Sequence, residues 1–272
     1  MVMLAHKRGT VMNSPEFTGK TFVTSLTDNT EYPEYCLQAA LSSDVFRDFR
    51  CHQIYNAALE HDSYEQGLEY LEAIKRSGFN LLAVADEFRK NDKIGSPRVY
   101  EYEEIGIFAP PTLRYIKVLS DLEAEFGSLC DLNICEIGVG YGGLCRLIDS
   151  YFKVKSYTLV DLKPVLMLAQ KYLDNYALHT SLVYRTMNEL STKAYDLVIS
   201  NYAFTEMRRD IQDIYLRKVI CASSRGYITY NDINPKDFNS YKKEELAQVI
   251  KGLKEMPEVG ILHEADCTLI WH

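Results

Sequence analysis

Three glycines, Gly138, Gly140 and Gly143, sit at the spacing G-x-G-x-x-G within the stretch Glu136-Ile-Gly-Val-Gly-Tyr-Gly-Gly143. Glycine tolerates backbone conformations closed to other residues and has no Cβ, so such a turn can tighten and let a ligand lie against the main chain. If a helix follows, its free N–H groups face that ligand. The spacing is common to several nucleotide sites and chooses none of them alone. Its neighbours are more selective. Glu136, two residues before the first glycine, would repel a pyrophosphate but could hold an ammonium group. Asp161 ends the next apolar run, where a carboxylate can accept hydrogen bonds from both hydroxyls of a ribose. An ammonium beside a ribose describes S-adenosylmethionine (SAM) better than NAD.

On that reading Tyr141 and Gly142 belong to the gripping turn, and Leu162 follows the ribose carboxylate. Met187 and Asn188 are placed to flank an adenine, and Ser200 and Asn201 lie at the sheet edge facing the transferred methyl. Arg114 and Tyr115 are candidates to hold the cofactor's carboxylate. Displacement at a sulfonium needs an aligned acceptor oxygen, exclusion of water and, for an alcohol, a base. Glu206 is the first candidate base, although an acid in a helix's first turn equally complements the helix dipole. Asp232 is the second, against its reading as a turn residue before Pro235. His61 could reach in from a helical lid, against a helix C-terminal cap. Arg98, Arg114 and Lys117 would give a phosphate-bearing acceptor its cations, with Lys117 better read as a solvated helix face. Tyr100, Tyr102 and Tyr202 are expected to line the acceptor pocket. No paired acids stand at metal-binding spacing, and no metal is expected.

These residues need a scaffold. Residues 1–32 are polar and aperiodic and read as an irregular arm. Residues 33–95 read as helical: Ser43 caps a segment carrying Val45, Phe46, Phe49, Ile54, Ala57 and Ala58, and Asp62 or Ser63 caps a second that Gly78 ends. A third helix runs from about Asn80 to Arg89, and the stretch from Asn91 to Pro97 reads as a linker. A helix over Leu113–Phe126 precedes an alternation of strands (Asn133–Ile137, Ser156–Asp161, Ser181–Thr186, Tyr195–Ser200, Gly226–Tyr230) with helices through Phe152 and over Pro164–Tyr176, Arg208–Cys221 and Tyr241–Lys254. Val259–His263 and Cys267–Trp271 read as a closing hairpin. The expectation is an α/β, Rossmann-like class I methyltransferase sheet, mostly parallel with a closing antiparallel hairpin, over residues 99–272, with an arm and helical cap over residues 1–98.

With 38 acidic against 30 basic residues and a net charge of −8, the chain lacks the basic surface that nucleic acid demands. A small anionic acceptor needs only local cations and is not disfavoured. Seven scattered cysteines without a C-x-x-C pair suggest buried thiols in a reducing compartment rather than disulfides or zinc. The opening Met-Val-Met-Leu-Ala-His-Lys-Arg holds too short an apolar run for a signal peptide, and no window approaches the length of a membrane span. A cytoplasmic protein is expected, and an oligomer is compatible with the sequence.

Three stretches resemble the sugar O-methyltransferases of antibiotic deoxysugar and bacterial surface-polysaccharide gene clusters. They are Pro111-Thr-Leu-Arg-Tyr-Ile-Lys-Val-Leu-Ser-Asp-Leu-Glu123, Ile134-Cys-Glu-Ile-Gly-Val-Gly-Tyr-Gly-Gly143 and Ile199-Ser-Asn-Tyr-Ala-Phe-Thr-Glu206. Tyr157–Leu162 and Gly226–Asn231 also fit, so the likeness extends over roughly residues 45 to 235. Two positions depart from it: Leu144 stands where relatives tend to have Gln, and Ala109-Pro110-Pro111-Thr112 where they have Ser-Pro-Thr. The resemblance implies SAM as cofactor and, as acceptor, a hydroxyl on a nucleotide-linked or polysaccharide sugar, or a small phosphorylated metabolite. Two rivals predict different features. An NAD-linked sugar oxidoreductase would need a Tyr-x-x-x-Lys pair or its equivalent, which Tyr241-Lys-Lys does not supply. A non-catalytic SAM-binding scaffold would need no base.

Overall fold

The computed structural model describes residues 24–28, 31–261 and 263–272. Five helices, α1 (Glu31–Leu41), α2 (Ser43–Arg47), α3 (Gln53–Leu59), α4 (Tyr64–Ser77) and α5 (Ala85–Phe88), lead to a small hairpin of β1 (Tyr100–Tyr102) and β2 (Gly106–Phe108). The long helix α6 (Pro110–Phe126) follows. The main body then alternates: β3 (Asn133–Ile137), α7 (Gly143–Tyr151), β4 (Ser156–Val160), α8 (Lys163–Leu173), β5 (Ser181–Arg185), β6 (Leu197–Asn201), α9 (Arg209–Tyr215), β7 (Gly226–Tyr230), α10 (Lys243–Val249), β8 (Lys254–Pro257) and β9 (Cys267–Trp271).

The strands form one seven-stranded sheet in the order β5-β4-β3-β6-β7-β9-β8. Pairings from β5 through β7 are parallel, and β9 runs antiparallel to β7 and to β8. This is a Rossmann-like sheet, mostly parallel and closed by an antiparallel hairpin. The chain enters at β3, winds outward to β5, then crosses back to β6 on the other side of β3. Where a doubly wound sheet reverses in this way, the crevice beyond the carboxyl ends of the two central strands is the natural ligand site. Helices cover both faces, so the central strands are buried along most of their length. Ile134, Tyr157 and Leu159 face one buried cluster, and Ile137, Val198 and Ile228 the other.

The N-terminal helices share the first of these cores: α1 packs on α8 and α4 on α6. An ion network reinforces the contact. Arg50, fully buried, donates to both carboxylate oxygens of Glu60 and to Asp92. Asp92 in turn accepts the Ala109 N–H at 2.8 Å and the Thr112 hydroxyl at 2.6 Å, so a side chain from outside the helix satisfies the start of α6. The stretch around Asn91, read from its Gly and Pro content as a linker, is a packed one: the Asn91 amide donates to the Gly143 carbonyl.

The helical region differs in detail from its reading. The segment assigned to one helix capped by Ser43 breaks in two; Ser42 caps α2 and the His52 ring caps α3. The second cap is as expected, with Ser63 and Gln66 forming a reciprocal capping box and Gly78 ending α4 in the left-handed region. At the other end, the hairpin partner of β9 is Lys254–Pro257, not Val259–His263. Residues 259–261 are irregular because Gly260 takes φ +67° and is tied to α4, its N–H donating to Glu69 and its carbonyl accepting from Gln66. Most of residues 1–32 lies outside the described residues, but α1 begins within that span. Among the described residues, no helix is long and apolar enough to cross a membrane.

Candidate cofactor and methyl-transfer site

A cavity of about 450 Å³ opens at the reversal point of the sheet. Its floor is the glycine turn. Gly138 sits at φ +79°, where a side chain is strained, and a Cβ there would fall 2.1 Å from that of Ala203. Gly140, at φ +53°, faces Leu59 of α3, and the two line the cavity together. Asp161 stands beside the turn. Its carboxylate accepts the Gly140 N–H at 3.2 Å and the Leu162 N–H at 2.7 Å, and desolvation lifts it to about 6 in spite of these bonds. Leu162, Met187 and Asn188 complete this side, and Asn201 and Tyr202 stand opposite. Thr186 and Glu189 form a capping box that fixes the turn carrying Met187 and Asn188.

Glu206 lines the same cavity. Burial pushes its carboxyl up to about 7, against the opposing pull of a hydrogen bond from Asn231 and the charge of Arg114. The Asn231 amide donates to Glu206 Oε1 at 2.7 Å and holds one oxygen in place. Such an acid changes charge near neutrality, the range in which a general base works.

Several expected residues stand elsewhere, each for a physical reason. Glu136 lies on the face of β3 turned to the first core; it is 2% exposed, accepts the Tyr157 hydroxyl at 2.8 Å, and burial lifts it to about 8. It does not line the cavity. Tyr141 is likewise turned inward, packed edge-on against Tyr172 with the Arg50 guanidinium over its ring. Gly142 packs on Leu173 and begins α7. Ser200 is fully buried and positions the loop, its hydroxyl donating to the Ile137 carbonyl and accepting the Phe204 N–H.

Asp232 is a surface residue paired with Lys242. His61 follows α3 and is exposed outside the cavity, with its imidazole pushed down by desolvation and by Arg114. Tyr102 is buried against Gly67 of α4 and stacks on Tyr64, which Tyr100 also touches, so these tyrosines are hairpin core rather than acceptor pocket. Arg98 is exposed on the chain leading to β1.

The expected cationic group does not assemble. Arg114 pairs with Asp62 and, with Tyr115, lies behind Tyr202 in a narrow recess rather than in the main cavity. Lys117 is not a solvated helix residue but a buried one: burial pulls its ammonium down, yet Glu258 and Asp121 hold it above its usual value. No metal-binding cluster of His, Cys, Asp and Glu occurs among the described residues.

The roof of the cavity was not legible in the sequence. Thr24, Ser25, Thr27 and Asp28 line it, with Tyr32, Met207, Ile211 and Tyr215. This part of the arm is held by backbone pairing: Ser25 bridges Met207 antiparallel, Leu26 donates to the Glu206 carbonyl and Arg208 to that of Thr24. A polar, aperiodic stretch gives no local sign that it will pair with a loop almost two hundred residues away.

No known sequence family matches the chain, and no curated protein matches it. Solved structures resemble it at low identity. A candidate sarcosine dimethylglycine methyltransferase from Galdieria sulphuraria superposes with a TM-score of 0.42 at 20% identity, over 53% of this chain and 63% of that protein. The magnesium protoporphyrin IX methyltransferase ChlM from Synechocystis PCC 6803, solved with bound SAM, gives 0.45 at 16% identity, over 58% of this chain and 76% of that one. The phosphoethanolamine N-methyltransferase 2 of Haemonchus contortus, in complex with S-adenosyl-L-methionine, gives 0.39 at 16%, over 51% and 38%.

Proposed function

We propose that the protein is a SAM-dependent O-methyltransferase of the cytoplasm that methylates a sugar hydroxyl, with residues 1–98 as arm and cap over the cofactor-binding domain of residues 99–272. One observation carries the reading: Glu206, poised near neutrality, shares a single cavity with the glycine turn and the Asp161 carboxylate. The residues present fit the cofactor. Gly138 and Gly140 leave the backbone bare where a chain of the ligand would lie, Asp161 can accept from two ribose hydroxyls, and Leu162, Met187 and Asn188 offer a partly apolar slot for an adenine. When bound, SAM supplies a methyl group activated by a positive sulfur.

Glu206 would take the proton from the acceptor oxygen as that oxygen becomes nucleophilic. The Asn231 bond fixes its carboxylate in orientation, and Ile211, Tyr215 and Met207 keep the surroundings apolar. Of the cations considered for a phosphorylated acceptor, Arg114 and Lys117 are engaged by acids and Arg98 does not line the cavity, which leaves Lys163 as the one cation among the described lining residues. This favours a neutral hydroxyl, which agrees with the resemblance to the deoxysugar and surface-polysaccharide enzymes. An NAD-linked oxidoreductase has no comparable support, for Tyr241 is half-buried, bonds to Asp213 and does not line the cavity.

The acceptor is found by incubating the protein with methyl-labelled SAM and separate pools of nucleotide sugars and phosphorylated metabolites. Label recovered as an O-methyl sugar supports the proposal. Label confined to the phosphorylated pool excludes the sugar hydroxyl, and no transfer to any pool, with SAM bound, favours a non-catalytic SAM-binding scaffold.

A further inference from the structure

We propose that Asp28, in the N-terminal arm, is the carboxylate that binds the ammonium group of the cofactor's methionine part. The inference rests on reading the cavity as a SAM site and adds a residue from outside the glycine turn. A primary ammonium held in a partly dry cavity needs acceptors, preferably an anionic one. Glu136, the residue that the turn's sequence nominates, points away into the core and is occupied by the Tyr157 hydroxyl. That leaves Asp28, Asp161 and Glu206 as the carboxylates among the described residues lining the cavity. Asp161 is bonded to the N–H groups of Gly140 and Leu162 at the end of β4, and Glu206 is oriented by Asn231.

Asp28 differs from both. Its Oδ2 accepts the Thr24 N–H at 2.8 Å and also meets the Thr24 hydroxyl, which folds the arm into a turn and fixes the carboxylate. Its Oδ1 is buried and accepts no hydrogen bond among the described residues. A buried carboxylate oxygen without a donor is costly in a folded protein. A cationic group of the ligand would supply the missing donor. The backbone bonds of Thr24 and Leu26 to Arg208 and Glu206 hold this carboxylate in the roof of the cavity that Gly138 and Ala203 also line.

The test compares three ligands by calorimetry on the full chain: SAM, S-adenosylhomocysteine and 5′-methylthioadenosine, which keeps the nucleoside and thioether but lacks the amino-acid part. Asp28→Asn is expected to weaken the first two by about ten- to a hundredfold, the scale of a charge-assisted hydrogen bond. Methylthioadenosine should bind wild type and variant alike, and Glu136→Gln should leave the ratio of SAM to methylthioadenosine affinity at its wild-type value. Asp28→Glu, which keeps the charge, should recover part of the loss. Equal SAM affinity in wild type and Asp28→Asn overturns the proposal, as does an equal loss for all three ligands. A wild-type protein that binds none of them removes the cofactor reading itself, a different and recognisable result.

Discussion

The floor of the cavity is anchored from beneath: Tyr141 and Glu136 sink into the core, Arg50 lies over Tyr141, and Asn91 holds the carbonyl of Gly143. Its roof, residues 24–28, is held by backbone bonds to the loop at Glu206–Arg208 and by its own turn at Thr24. The floor is therefore part of the hydrophobic core, while the roof rests on the fold without being needed to build it. A change in the floor should alter stability and binding together. A change in the roof should alter binding alone, as the Asp28 variants are designed to show.

The largest expected effect lies in the floor. Gly138→Ala places a methyl group against Ala203 in a backbone conformation that alanine resists, and should displace the turn. Strain of about 1–3 kcal/mol at this backbone position, added to the contact with Ala203, should weaken SAM binding by about a hundredfold, with a fall in melting temperature. Gly138→Ala/Ala203→Gly removes the opposing methyl and should restore part of both; no recovery would mean that φ rather than contact dominates.

Glu206→Gln comes next. It keeps the Asn231 contact but removes the proposed base, so kcat should fall about a hundredfold while SAM affinity changes by less than about threefold. The wild-type rate should rise as pH passes about 7, where Glu206 loses its proton, and the variant's profile should lose that rise. A variant with the wild-type profile would exclude Glu206 as the base.

The third effect, on stability rather than turnover, concerns Glu136. Its carboxyl goes from an ordinary 4.5 to about 8 on folding, so between those values the folded state keeps a proton that the unfolded chain releases. Stability from this group is thus present at low pH and declines as pH rises towards 8. Glu136→Gln cannot titrate, and should gain on the wild type by a few kcal/mol, on the order of 3, between pH 5 and pH 8 in denaturant unfolding. A difference independent of pH would contradict the burial of an acid in the floor.

What could be read from the sequence follows the same division. The strands β3, β4, β6 and β7 and the helices α6 to α8 announce themselves because burial on both faces demands mostly apolar runs, and because Gly127 and the glycines at 138 to 143 mark their ends. Asp161, Leu162, Met187, Asn188 and Glu206 follow from that frame, since each occupies a strand end or the turn after it. Direction within a strand is harder: Glu136 could have faced the ligand or the core, and a single sequence contains nothing that fixes which face the helices cover. Lys117 shows the converse, a cation with buried partners far along the chain at Glu258. Asp28 was beyond reach for a similar reason, because its place depends on the pairing of Ser25 with Met207, which no local pattern encodes.

The central claim is that the cavity over the glycine turn is built for SAM. The most direct measurement is calorimetric titration of the wild-type protein with SAM and with NAD. The account predicts one SAM site per chain, weakened by Gly138→Ala, and no heat with NAD. Saturable binding of NAD with none of SAM would contradict it.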